Sequence, residues 1–117
     1  MNVAVIGSRN LAVNNPGDYF PLETRQIILG WSVGINQSAR LYAAKRGILV
    51  TDYELANKPH GRHAPRQRAL RRADVVLVFW DGKSRSTKFV ANMCRRIGMA
   101  VKLYVYSSKR KTFLLLA

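Results

Sequence analysis

Four short runs of almost uninterrupted apolar residues constrain this chain more than anything else in it: Val3–Ile6, Gln26–Leu29, Ile48–Thr51 and Val75–Phe79. They are rich in valine and isoleucine and too short to be core helices. A strand that is apolar on consecutive residues is buried on both faces, which calls for a parallel sheet with helices above and below. Gly7 and Gly30 close the first two runs.

Helical patterns fall between the strands. Ile35, Ala39, Tyr42, Ala43 and Arg46 are at helical spacing, which predicts a helix over about Asn36 to Arg46 with Gly47 as its stop. Asp52–His63 reads as a polar loop. Pro65 opens a further helix to about Ala73, its polar face made of Arg66, Arg68, Arg71 and Arg72. A last helix is expected from about Ser86 to Ile97, with Phe89, Val90, Met93, Cys94 and Ile97 turned inward and Gly98 ending it.

Val101–Tyr106 alternates, with Val101, Leu103 and Val105 on one face and Lys102, Tyr104 and Tyr106 on the other, as in a half-exposed strand. Ser107–Lys111 is a basic turn, and Thr112–Leu116 can return as an antiparallel edge strand. Strands alternating with helices predict a small Rossmann-like three-layer α/β sandwich whose sheet is mostly parallel. One crossover departs from this plan. Asn10–Arg25 carries Pro16, Gly17 and Pro21 and has room for one helical turn near Leu22–Gln26, so the first crossover helix is reduced. The 117 residues make one domain, with a core over about 2–106 followed by the basic turn and edge strand of 107–117.

Charge is the second strong feature. The net charge is +14, and residues 58–117 hold fifteen cations against two acids, Asp74 and Asp81. That asymmetry predicts an anionic partner. No apolar run approaches the roughly 20 residues that span a bilayer, so no membrane partner is expected. The N-terminus enters its first strand without a basic lead, so no signal peptide is expected. Cys94 is the single cysteine, which excludes an internal disulfide, makes a cytoplasmic setting the default and places the thiol in the core. His60 and His63 lack a Cys or carboxylate cluster, so no metal is expected. No Ser-His-Asp order or close carboxylate pair points to catalysis.

Three predicted strand ends carry glycine-bearing loops: Gly7-Ser8-Arg9, Gly30-Trp31-Ser32-Val33-Gly34-Ile35-Asn36, and Asp81-Gly82-Lys83-Ser84-Arg85-Ser86-Thr87. In an open parallel sheet, ligands bind beyond the carboxyl ends of the strands. Glycines let backbone N–H groups approach a phosphate, and helix N-termini add partial positive charge. Each loop has a plain structural reading too: a tight turn, with Asn36 or Ser86 as a helix N-cap.

The segments "VAVIGSR", "ILGWSVGINQSARLYAAKRGI", "HGRHAPRQRAL" and "ADVVLVFWDGKSRSTKFV" stand in the order found in the SLOG superfamily. That is the Rossmann-like fold shared by the Smf/DprA and lysine-decarboxylase-like (LOG) proteins, and the chain most resembles the YspA-like branch, over about Asn2 to Val105. The resemblance implies a nucleotide-binding sheet and a ligand that is a nucleotide or derived from one, with no cofactor. Some members cleave nucleoside monophosphates, the DprA group binds single-stranded DNA, and relatives often self-associate.

By this resemblance Gly7, Ser8 and Arg9 match the first-strand motif, and Gly30 and Gly34 match two glycines of the family's GGxxGxD loop. Trp31 replaces a glycine and Asn36 the aspartate; Ser32 lies between. Arg66 matches the arginine of an Arg-Asn pair, with Gln67 in place of the asparagine. Asp81, Gly82, Ser84 and Thr87 match the fourth-strand loop, with Ser86 in place of a glycine. The phosphoribohydrolase branch has a glutamate just beyond the threonine, where this chain has Lys88, Phe89 and Val90. The resemblance thus leans away from an enzyme.

Two expectations follow. The first is non-catalytic binding of a phosphorylated, nucleotide-like ligand, as a sensor or sequestering protein. The second is binding of RNA or DNA through Arg62, Arg66, Arg68, Arg71, Arg72, Lys83, Arg85, Lys88, Arg95, Arg96, Lys109, Arg110 and Lys111, with Trp31 or Tyr104 stacking on bases.

Overall fold

The structure, a computed structural model, describes residues 1–8, 11–29, 33–52 and 72–116. It contains β1 (Asn2–Gly7), β2 (Gln26–Leu29), α1 (Val33–Arg46), β3 (Leu49–Asp52), β4 (Val75–Trp80), α2 (Arg85–Arg96), β5 (Val101–Ser107) and β6 (Thr112–Leu115). The six strands form one sheet in the order β3-β2-β1-β4-β5-β6. All neighbours are parallel except β5 and β6.

The continuous apolar runs are the inner strands. In β1 and β4, Val3 to Ile6 and Val76 to Phe79 are at most 2% exposed. Alternation splits them between two cores. Val3, Val5, Ile27, Leu29, Leu77 and Phe79 face α1, which offers Ile35, Ala39 and Ala43. Ala4, Ile6, Ile28, Val76 and Val78 face α2, which offers Val90, Ala91 and Cys94. Fully burying each large aliphatic side chain here contributes about 1.5–3 kcal/mol. The burial of Cys94 raises the pKa of its thiol, leaving it a core residue.

The reduced first crossover is observed, but its helical turn lies elsewhere. A single 3₁₀ turn spans Pro16–Asp18, while Gln26 already belongs to β2 and Leu22 is 86% exposed. Prolines at 16 and 21 remove the donors a longer helix needs. Side chains from this segment cover the sheet instead. Tyr19 meets Phe79, Tyr104 and Phe113 edge-on at 5.3, 5.0 and 6.1 Å, and Phe20 stacks on Tyr42.

Several sequence readings are corrected. Phe89 and Ile97 are not part of the inward stripe of α2: they are 59% and 37% exposed. The phase of the helix is set by Thr87, Val90, Ala91 and Cys94, and Phe89 is rotated away from that stripe. The N-cap of α2 is Ser84, not Ser86, which is the second helical residue. Asn36 is no N-cap either, because α1 begins at Val33. Tyr104 is not an open exposed residue: its ring stacks on Phe79 at 5.4 Å and meets Tyr19. The helix expected over Pro65–Ala73 lies outside the described residues, apart from Arg72 and Ala73, which are not helical.

Candidate functional site

The strand order reverses between β1 and β4, with β2 and β3 on one side and β5 on the other, and the crevice beyond their carboxyl ends is where open α/β sheets bind ligands. The two loops that leave these strands are tied together there. The backbone N–H of Ser8, just past β1, donates to the Phe79 carbonyl at 2.9 Å. The Ser8 hydroxyl accepts from the Asp81 amide at 3.1 Å and bonds the Thr87 hydroxyl at 3.1 Å. Ser8 and Thr87 are 1% and 2% exposed. Thr87 in turn donates to the Ser84 hydroxyl at 3.3 Å, which lies 3.4 Å from that of Ser86. A line of hydroxyls thus runs from the buried switch point out to the exposed start of α2.

Gly82 sits at φ 82°, where an L side chain is strained, so this turn requires its glycine. Gly7 has a packing reason. A Cβ there would lie 2.0 Å from the Cδ1 of Ile35, so the close passage of α1 over β1 depends on it.

The loop after β4 already holds an anion of its own. One oxygen of Asp81 accepts the amides of Lys83 at 2.8 Å and Ser84 at 2.7 Å. Partial burial pushes the Asp81 pKa up, but the amides of Ser84 and Lys83, the Ser8 hydroxyl and its own amide outweigh that and hold it below the usual carboxylate range. Those two amides are therefore engaged within the loop. At the first turn of α2 the Ser84 side chain makes no capping bond to the helix amides. The hydroxyls of Ser84 and Ser86 are beside it, with Lys83 and Arg85 exposed around them.

Beside this edge, on the α2 face, lies an open depression of about 420 Å³ bounded by Trp80, Lys83, Arg85, Lys88, Phe89 and Asn92. The Trp80 indole donates to the Ser84 carbonyl at 2.9 Å, and the Lys88 ammonium lies 4.7 Å from the ring centre. Sequence reasoning missed Trp80 as a site residue. Its signal was an aromatic at the end of an apolar strand, directly before a basic loop.

Of the residues expected at the small-ligand site, the structure brings together Gly7, Ser8, Asp81, Gly82, Ser84, Ser86 and Thr87. Gly34 and Asn36 belong to the first turn of α1, which follows β2 at the same edge of the sheet. Arg9, Gly30, Trp31, Ser32, Arg66 and Gln67 lie outside the described residues, as do Arg62, Arg68 and Arg71 of the nucleic-acid set.

The described cations of that set do not share one surface. Lys83, Arg85 and Lys88 flank the start of α2, and Lys109, Arg110 and Lys111 form the turn after β5, at the same edge. Arg95 and Arg96 are in the last turn of α2, about 18 Å away along the helix axis. Arg72 is at that far edge too, where its carbonyl accepts from the Asn2 side chain. Arg95 and Arg96 complement the negative end of the helix dipole. Asp74 is likewise at the far edge and accepts the Asn2 amide at 2.6 Å.

Among the described residues no group of three His, Cys, Asp or Glu side chains could hold a metal, and no helix is long and apolar enough to cross a membrane. No protein-family model, curated protein or solved structure matches the chain.

Proposed function

We propose that the chain binds a phosphorylated, nucleotide-like ligand at the carboxyl edge of its sheet without reacting with it. The observation that carries this reading is the Ser8–Thr87 bond at the switch point, which fixes the loops after β1 and β4 in one frame. Phosphate oxygens would accept from the first-turn amides of α2 and from the Ser84 and Ser86 hydroxyls, with Lys83 and Arg85 balancing the charge. The likeness of the loop motifs to SLOG proteins supports the same reading, with Arg9, Trp31 and Arg66 as further contacts. Asp81 is engaged by its own loop, and no glutamate follows Thr87, so the site has the makings of a sensor or sequestering protein.

The test is calorimetry and thermal melting with mononucleotides, with inorganic phosphate as control, together with mass spectrometry of any 260 nm-absorbing material that co-purifies. A nucleotide present at about 100 times its Kd stabilises by about 2.7 kcal/mol, which raises Tm by roughly 10 °C. Wild type should show a saturable one-to-one heat. Ser84→Ala/Ser86→Ala should lose at least tenfold in affinity without unfolding, since Ser86 is exposed and Ser84 half-buried.

A second reading, nucleic-acid binding, is favoured by one observation: Phe89 stands exposed beside Trp80, Lys83, Arg85 and Lys88. Aromatic faces among cations suit stacked bases and their phosphates. Tight RNA binding that falls steeply with salt, with no Tm response to any nucleotide, would select this reading and overturn the first.

A further inference from the structure

Among the described residues β6 is the edge strand of the sheet, beyond β5. Its residues and the one that follows, Thr112 to Leu116, carry no charge in a chain of net charge +14. Edge strands in monomers are commonly blunted by lysine, proline or a bulge. This one instead exposes Leu114, Leu115 and Leu116 at 38%, 59% and 54%.

The ladder shows which of its backbone groups face outward. The Leu116 amide donates inward to the Leu103 carbonyl at 2.7 Å, and in the same register Leu114 is opposite Val105 and Thr112 opposite Ser107. Residues 112, 114 and 116 are therefore the hydrogen-bonded partners of β5. The N–H and C=O groups of Phe113 and Leu115 point away from the sheet.

We propose that this edge pairs with the same edge of a second copy, antiparallel, about a two-fold axis at Leu114. The strand is its own complement in that register. Phe113 falls opposite Leu115 of the other copy, and Leu115 opposite Phe113, so four outward backbone hydrogen bonds are made. Leu114 meets Leu114 on the face that carries α2, while Phe113 and Leu115 extend the aromatic layer of Tyr106 and Tyr19 on the other. The interface is isologous and closed, as a two-fold dimer requires.

Charge decides between orientations. A parallel pairing would set the two Lys109-Arg110-Lys111 turns side by side. The antiparallel register separates the two Lys111 residues by six strand positions, about 20 Å, well beyond the Debye length of about 8 Å at physiological salt. The remaining repulsion between two basic chains is long-range, so dimerisation should strengthen as salt rises. Association bridged by a polyanion would weaken.

The experiment is sedimentation and light scattering on the intact chain from about 5 to about 500 µM at low and high salt, a range that covers weak interfaces. Wild type should dimerise, more so at high salt. Leu115→Pro removes only an outward amide, and two such amides are half of the four bonds, so it should weaken the dimer at least tenfold while its Tm at low concentration stays near wild type. Leu115→Lys should do the same.

Register is tested by Leu114→Cys and Leu116→Cys under mild oxidation. The two copies of residue 114 are a directly opposed non-hydrogen-bonded pair at about 4.5 Å between Cα atoms, within disulfide reach. The two copies of residue 116 are four positions apart, about 13 Å. Only Leu114→Cys should crosslink, and Cys94 is too buried to compete. A monomer at every concentration, unchanged dimerisation in both Leu115 variants, or equal crosslinking at 114 and 116 would each overturn the proposal.

Discussion

The hydroxyls of Ser8 and Thr87 lie 3.1 Å apart across 79 residues of sequence, and both residues are almost completely buried. The bond joins the end of β1 to the first turn of α2, and through the Asp81 amide it also fixes where β4 gives way to its loop. Two buried hydroxyls satisfy each other where the strand order reverses between β1 and β4, so the pair serves the fold and the candidate site at once.

Thr87→Val keeps the shape of the side chain and removes its hydroxyl, leaving Ser8 and Ser84 each without one partner. The expected loss is about 1–2 kcal/mol, seen in urea or thermal melts as a Tm about 4–8 °C lower. Ser8→Ala should cost a similar amount. The double variant should cost clearly less than the sum, because the two deletions share a bond. Strict additivity would show that the pair is not coupled.

Asp81 titrates below the ordinary carboxylate range because the ionised form accepts two loop amides. A lowered folded pKa means that its contribution to stability is complete above the unfolded value of 3.8 and is lost as pH falls through the folded value. Asp81→Asn should lower stability at neutral pH, where the wild-type contribution is complete, and the two stability curves should converge as pH falls below about 4. It also removes a negative charge just before α2, the one there among the described residues, so it should tighten binding of inorganic phosphate measured by calorimetry. Weaker phosphate binding would mean that Asp81 shapes the anion site rather than competing with it.

Gly7 and Ile35 supply a test of packing. The Cβ of an alanine at position 7 would meet Cδ1 of Ile35 at 2.0 Å and Cγ1 at 3.1 Å, inside a core where Ile35 is 3% exposed. Gly7→Ala should destabilise by about 1–3 kcal/mol through overpacking. Ile35→Val deletes the atom in closest conflict, so the double variant should recover much of that loss. If Ile35→Val simply adds to the damage, the clash is not the cause.

The strands were legible because burial on both faces leaves unbroken apolar runs, and β2 matches its expected run of Gln26–Leu29. Helix phase was less so. Phe89 is apolar and lies at helical spacing from Met93, yet it points outward, because the small Ala91 and the hydroxyl of Thr87 occupy the face against the sheet. Size and apolarity count for less there than fit against β4 and the bond to Ser8. The fourth-strand loop was legible as a glycine turn, but the two amides held by Asp81 were not, since sequence does not say where a carboxylate turns. The cover supplied by Tyr19 was hidden for a different reason: 11–25 has no period from which a buried side could be read. Its one signal was the aromatic pair Tyr19-Phe20 inside a proline- and glycine-bearing loop.

That cover gives the last prediction. Tyr19 stands where a crossover helix would otherwise cover β4 and β5, and its ring edge closes an aromatic group with Phe79, Tyr104 and Phe113. Tyr19→Ala removes all three contacts and should cost about 2–4 kcal/mol. Tyr19→Phe keeps the ring and should remain within about 0.5 kcal/mol of wild type at neutral pH. The two variants part again in alkali. Burial, and then the nearby Tyr19, raise the pKa of Tyr104 above the ordinary tyrosine value. A raised folded pKa means stability that is intact below the unfolded value and lost as pH climbs toward the folded one. Tyr19→Phe removes the second of these contributions, so the Tyr104 titration, read by ultraviolet absorbance, should move down toward the ordinary tyrosine value while staying above it. An unchanged titration would show that burial alone sets it and that the two phenols do not interact.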